Sequence, residues 1–202
     1  FADVIVKALA LKARWQERKF KKILPDVPTV VFFDEPYLTS YGSAFFSLNR
    51  GDVVKHLSEV FSLVDGLVGV HCCGRTDWTL FTESGANIIS FDAYDYAESI
   101  ALYPREIDQF LKGGGVLAWG IVPSTFPDPS RVEKENAESL IARLEEKMQL
   151  LVDKGIDKEV LLENCLITPN CGTASMSIEL AERAYELTRA VSDGMKKKYF
   201  GR

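Results

Sequence analysis

His71 and Cys73 stand two residues apart in VGVHCCGRTDW, the stretch over residues 68–78. Side chains two apart on a strand share a face, so this pair points one way and Cys72 the other. A distant cysteine, Cys171, closes a second apolar run in LITPNCG. An imidazole and two thiols at the ends of two strands form a soft donor set suited to zinc. Free cysteines also pack as small hydrophobes, and either half alone reads as ordinary packing. The two halves at equivalent strand-end positions predict a metal site whose three donors converge. Carboxylates occupy similar places: Asp34 and Glu35 follow TVVFF, and Asp92 follows NIISF.

Such residues need elements that end together. Apolar spacing predicts a helix over residues 2–22 (Val4, Ile5, Ala8, Leu9, Leu11, Trp15), closed by Pro25 and Pro28. Buried strands are predicted at 29–33, 67–70, 87–91, 116–121 and 165–168. Helices are predicted at 52–64, at 76–84 with Gly85 as stop, at 96–102 and at 104–111. Two more follow: 131–154, with Ser130 as cap and Glu133 as capping-box partner, and 177–198. A long loop follows Asp34, in which Tyr37, Tyr41, Phe45 and Phe46 are expected to pack. Cys72 and Cys165 are expected to be buried structural thiols, and Trp78 to pack under the metal loop.

Five strands alternating with helices imply parallel pairing through right-handed crossovers. Every candidate polar residue falls at a strand's C-terminal end. A doubly wound sheet would feed a site from a few strands at one switch point, whereas a barrel feeds it from all of them. The expected fold is therefore α/β, a TIM (β/α)8 barrel of which residues 1–202, as a single domain, supply about the C-terminal five units. The first residue, Phe1, is not a methionine, which fits a C-terminal portion. The open parallel edges are expected to be covered by another chain, a second copy or upstream residues.

The chain has 202 residues, 47% of them hydrophobic, enough for a substantial core. A net charge of −5 and the lack of a long basic run argue against nucleic acid. No apolar run reaches the ~18 residues that a membrane span needs. Four cysteines are too few for a disulfide scaffold and predict a cytoplasmic protein with free thiols.

FFDEP (32–36), GVHCCG (69–74), ANIISFD (86–92), WGIVPS (119–124) and TPNCG (168–172) occur in one order along nearly the whole chain. In these the chain resembles the catalytic barrel of cobalamin-independent methionine synthase and its relatives in the uroporphyrinogen decarboxylase superfamily. Those relatives include the zinc methyltransferases that take methyl groups from corrinoid proteins. The resemblance implies a barrel of that type and a zinc-dependent methyltransferase. His71, Cys73 and Cys171 would ligate zinc, and Asp92 would stand where the synthases have a glutamate ligand. Asp34 would hold the amino group of a homocysteine acceptor, with Glu35 its neighbour in the motif. Asp92 also reads as a helix cap, and Asp34 with Glu35 as a loop-stabilising pair. Ile121 falls where the folate-using synthases carry a proton-donating histidine, so the expected methyl donor is a methyl-corrinoid carried on a separate corrinoid protein, and not a methyl-folate. Two alternatives are a decarboxylase-like barrel enzyme without metal and a non-catalytic barrel fragment. A homo-oligomer is a further expectation.

Overall fold

In the computed structural model the apolar periodicity of residues 2–22 becomes a helix, α1, over Ala2–Ile23. The structure describes residues 1–43, 48–124 and 128–201. After α1 come β1 (Val30–Asp34), a 3-10 turn at Pro36–Ser40, α2 (Arg50–Phe61) and β2 (Leu67–Cys72). Then follow α3 (Thr79–Glu83), β3 (Ile88–Phe91), α4 (Ala93–Tyr96), a 3-10 turn at Ala97–Leu102, and α5 (Pro104–Lys112). The chain continues through β4 (Val116–Val122), a 3-10 turn at Pro129–Lys134, α6 (Ala137–Val152), α7 (Lys158–Glu163), β5 (Cys165–Pro169) and α8 (Ile178–Phe200). The strands form one parallel sheet in the order β1-β2-β3-β4-β5. That order never reverses, so the sheet lacks the switch point of a doubly wound fold.

The chain divides into two compact units, residues 1–72 with 76–89, and residues 73–75 with those from Ser90 onward. In the first unit β1 and β2 run in register from Val30 opposite Leu67 to Asp34 opposite His71. Phe33 packs on Phe61 of α2, with ring centroids 5.3 Å apart. The alternate residues Val30, Phe32 and Leu67 are 44%, 46% and 44% exposed. β1 is thus covered on one face only, not buried on both. α1 differs from expectation in the same way. It buries Val6, Ala10, Ala13 and Glu17, while Val4, Ile5, Leu9, Leu11 and Trp15 are exposed. Small residues on that stripe let the helix approach α2 closely, and this packing overrides the pull of the larger side chains.

In the second unit the core is dense: Leu117, Ala118, Trp119, Ile121 and Val122 of β4 are fully buried, as are Leu140 and Leu144 of α6. α6 begins later than the Ser130/Glu133 spacing suggests. Asn136 caps it, and the Ser139 hydroxyl accepts in return from the Asn136 amide, a reciprocal pair that outcompetes the earlier one. Asp128 accepts from the Ser130 amide and caps the 3-10 turn instead. α7, capped by Asp157, has six residues and is too short for its period to register. All four cysteines are free thiols. Cys72 is fully buried, whereas Cys165 is only half-buried. Trp78 is fully buried beside Phe81. Tyr37 is 77% exposed and does not pack in its loop; Phe45 and Phe46 lie outside the described residues. Among the described residues no helix is long and apolar enough to cross a membrane.

Glu17 ties the start of the first unit's strands together. Its carboxylate is 1% exposed and accepts from the Thr29 hydroxyl (2.6 Å) and from the amides of Asp65 (2.9 Å) and Gly66 (2.5 Å). A Cβ on Gly66 would meet the Thr29 carbonyl at 2.4 Å, so only glycine lets the turn come this close. Burial alone would raise the Glu17 pKa, but these three donors and the Lys21 charge outweigh it and hold it below the ordinary 4.5. A depressed carboxylate pKa stabilises the fold above the unfolded value and ceases to do so as pH falls through the folded one. Glu17→Ala is therefore expected to cost about 2–4 kcal/mol in urea unfolding at neutral pH, because it strands three donors. The gap between wild type and variant should narrow as pH falls below 4.5.

Candidate metal centre

β2 delivers the first two donors by strand geometry. Val68, Val70 and Cys72 are buried, while His71 and Cys73 are half-buried. Pairing with β1 continues to the last residues of both strands, since the Glu35 amide donates to the His71 carbonyl at 2.8 Å. His71, Cys73 and Cys171 each present one ligand atom, and these atoms all lie within 4.8 Å of one another. One nitrogen and two sulfurs at that spacing fit a tetrahedral N/S metal such as zinc. Asp92 is not among the three.

In the second unit Cys171 is held by its backbone. Asn170, 1% exposed, donates its amide to the Val122 carbonyl at 2.8 Å, which carries the β4–β5 pairing past the strand end. Its side-chain oxygen accepts from both the amide and the hydroxyl of Ser124, each at 2.9 Å. The Ser124 hydroxyl also lies 2.8 Å from the Cys171 carbonyl and accepts from the Cys171 amide at 3.2 Å. The Asn170 side-chain amide donates to Asp92 at 3.0 Å. The other oxygen of Asp92 accepts from the Asp95 amide and caps α4. Asp92 is thus a helix cap and an anchor for the residue beside Cys171. Gly120 makes this closeness possible: a Cβ there would meet the Asn170 Cα and the Phe91 carbonyl oxygen at 2.6 Å.

The charges in this cluster oppose one another. Burial raises the Cys73 thiol above its ordinary value, and the neighbouring Cys171 and Asp92 push it the same way. Burial, with the charge of Asp95, raises the Asp92 carboxyl to about 6, although the Asp95 amide and Asn170 oppose the shift. A half-buried thiol whose ionisation its neighbours disfavour is a place where a cation would reverse the balance. Asp34 is exposed at the end of β1, in register with His71. Glu35 is half-buried, and burial with the Asp34 charge raises its pKa. A groove of about 470 Å3 lined by Cys165, Ile167 and Met195 lies at the opposite end of β5 and contains none of these residues.

Reasoning from sequence missed Ser124, Asn170 and Gly120. The first two lie inside WGIVPS and TPNCG, where a polar residue directly after an apolar run was the available signal.

No family model and no curated protein matches the chain. Among solved structures, 7,8-dihydropteroate synthase from Vibrio fischeri ES114 aligns with a TM-score of 0.46 at 14% sequence identity. The alignment covers 88% of this chain and 63% of that one.

Replacing Asn170 with alanine should leave Asp92 buried with one partner fewer and free the backbone of Cys171. Its metal affinity, read by competition with a chelating dye, should fall roughly 10–100-fold. Gly120→Ala should cost about 1–3 kcal/mol in thermal unfolding, because the atoms it meets belong to backbone and cannot swing aside.

Proposed function

We propose that this chain belongs to a zinc-dependent methyltransferase that moves a methyl group from a methyl-corrinoid to a thiol such as homocysteine, giving methionine. The observation that carries this reading is the approach of His71, Cys73 and Cys171 within 4.8 Å. Zinc held by these residues would lower the pKa of an acceptor thiol, which near 8.5 is mostly protonated at neutral pH.

The protein's own residues would hold and orient the acceptor. Asp34, exposed beside His71, can pair with a substrate ammonium group. Burial and the Asp34 charge raise the Glu35 pKa, so Glu35 keeps its proton to higher pH. Ser124, Asn170 and Asp92 fix the Cys171 backbone, so the thiol need not be reorganised when a substrate arrives. Ile121 is fully buried in β4 and offers no proton where the folate-using synthases place a histidine, which favours a corrinoid donor. A corrinoid leaves as a stable species without a proton. In this reading the unreversed strand order is an arc of a barrel of the uroporphyrinogen decarboxylase type, the enzyme is cytoplasmic, and its donor rides on a separate corrinoid protein.

The chain is expected to bind about one zinc per molecule and to lose it on Cys171→Ala, measured by atomic absorption after dialysis. The complete enzyme should transfer methyl from methylcobalamin to homocysteine only when zinc is present. Turnover with methyl-folate and none with methylcobalamin would overturn the donor. Absence of zinc binding would overturn the metal and leave a carboxylate-based enzyme.

A further inference from the structure

α1 carries two rows of the same spacing. The side chains it buries, Val6, Ala10, Ala13 and Glu17, fall at i, i+4, i+7 and i+11. Val4, Ala8, Leu11 and Trp15 repeat that spacing two residues earlier. Two residues turn an α-helix by about 200°, so this second, apolar row lies opposite the buried one. Its large members face solvent: Val4 is 68%, Leu11 58% and Trp15 59% exposed. Cations flank the row on both sides. Lys7 and Arg18 stand at i+3 from Val4 and Trp15, Lys12 and Lys19 at i+4 from Ala8 and Trp15, and all four are exposed. The Lys19 ammonium lies 5.4 Å from the centroid of the Trp15 ring. Among the described residues none of these four cations enters an ion pair. α1 holds seven Lys and Arg against two acids, in a chain whose totals are 24 against 29. Of those two acids, Glu17 is turned inward onto Thr29, Asp65 and Gly66 and neutralises nothing on the outer face.

An apolar row between two lines of unpaired cations fits a surface that is anionic on top and apolar beneath. A leaflet of anionic phospholipid meets both flanks at once while the row sinks below the phosphates. Tryptophan beside lysine suits that boundary, with the ring at headgroup level and the lysine stem reaching back up to the phosphates. A second copy docked on the same face would set the cations of one helix against those of the other, and like charges facing each other oppose association. A fitted protein groove is defined by directional contacts, and Val4, Ala8, Leu11 and Trp15 offer one side-chain donor among them, the indole N–H.

We propose that α1 docks this protein on an anionic phospholipid surface, lying flat among the headgroups with its outer row inserted and not crossing the bilayer. The proposal stands apart from the zinc reading, since no residue of the metal centre takes part. The test is flotation of the full chain with vesicles of phosphatidylcholine alone and of phosphatidylcholine with roughly one-third phosphatidylserine. Binding should be about tenfold or more tighter to the mixed vesicles and should weaken as salt rises. Trp78 and Trp119 are fully buried, so a blue shift of tryptophan emission on adding mixed vesicles should come from Trp15. Leu11→Gln with Trp15→Gln should abolish binding, and Lys12→Glu with Lys19→Glu should remove the preference for the anionic lipid. The thermal unfolding midpoint of both variants should stay as in wild type, because the substituted side chains face solvent. Failure to bind the mixed vesicles, equal binding to both kinds, or binding that survives either pair of substitutions would overturn the proposal. A dimer in analytical ultracentrifugation that Leu11→Gln with Trp15→Gln splits, without vesicle binding, would assign the row to a second copy instead. A monomer that binds no vesicle would overturn the lipid surface in favour of an acidic protein.

Discussion

Parallel pairing makes every strand of a sheet end at the same edge, and the candidate chemistry of this protein depends on that constraint. Asp34 ends β1, His71 and Cys73 straddle the end of β2, Asp92 follows β3, and Cys171 follows β5. A strand end is also where backbone partners run out, so side chains must supply the remaining hydrogen bonds. Asn170 does this for β4 and β5 while its other end fixes Asp92. The hydrogen bonds that finish the sheet are thus the ones that place Cys171.

The strands were legible because β-branched and aromatic runs end sharply in polar residues. His71 and Cys73 were legible because a period of two is rigid. The partners of Cys171 were not. Ser124 and Asn170 lie 46 residues apart, and Asn170 and Asp92 lie 78 apart, so no local pattern couples them. The buried stripe of α1 was misread because size and hydrophobicity pointed to Leu9 and Trp15, whereas close helix packing favours Ala10 and Ala13. α6 shows a competition between equals: Ser130 and Asn136 both fit a cap, and the reciprocal bond that Ser139 accepts from the Asn136 amide decides.

The first unit also shows what one-sided cover means for a strand. Val31 and Phe33 alternate with Val30 and Phe32, and only the former row lies on the side where α2 receives Phe33. Phe32 fills the bare side by lying over Gly69, where a Cβ would stand 2.3 Å from its ring. A side chain at position 69 would displace that ring from the strand that carries His71. The glycine in GVHCCG therefore has a packing reason independent of any ligand.

Glu17 acts at the opposite end of these strands, away from His71. Its carboxylate takes the amide protons of Asp65 and Gly66, which belong to the connection before β2 and not to the sheet ladder. Amides in such connections ordinarily exchange with solvent as the loop frays. These two can exchange only when α1 lifts from the strands, because the acceptor sits on α1. Their deuterium uptake therefore reports the docking of the first helix, and it should follow that event even while β1 and β2 remain paired.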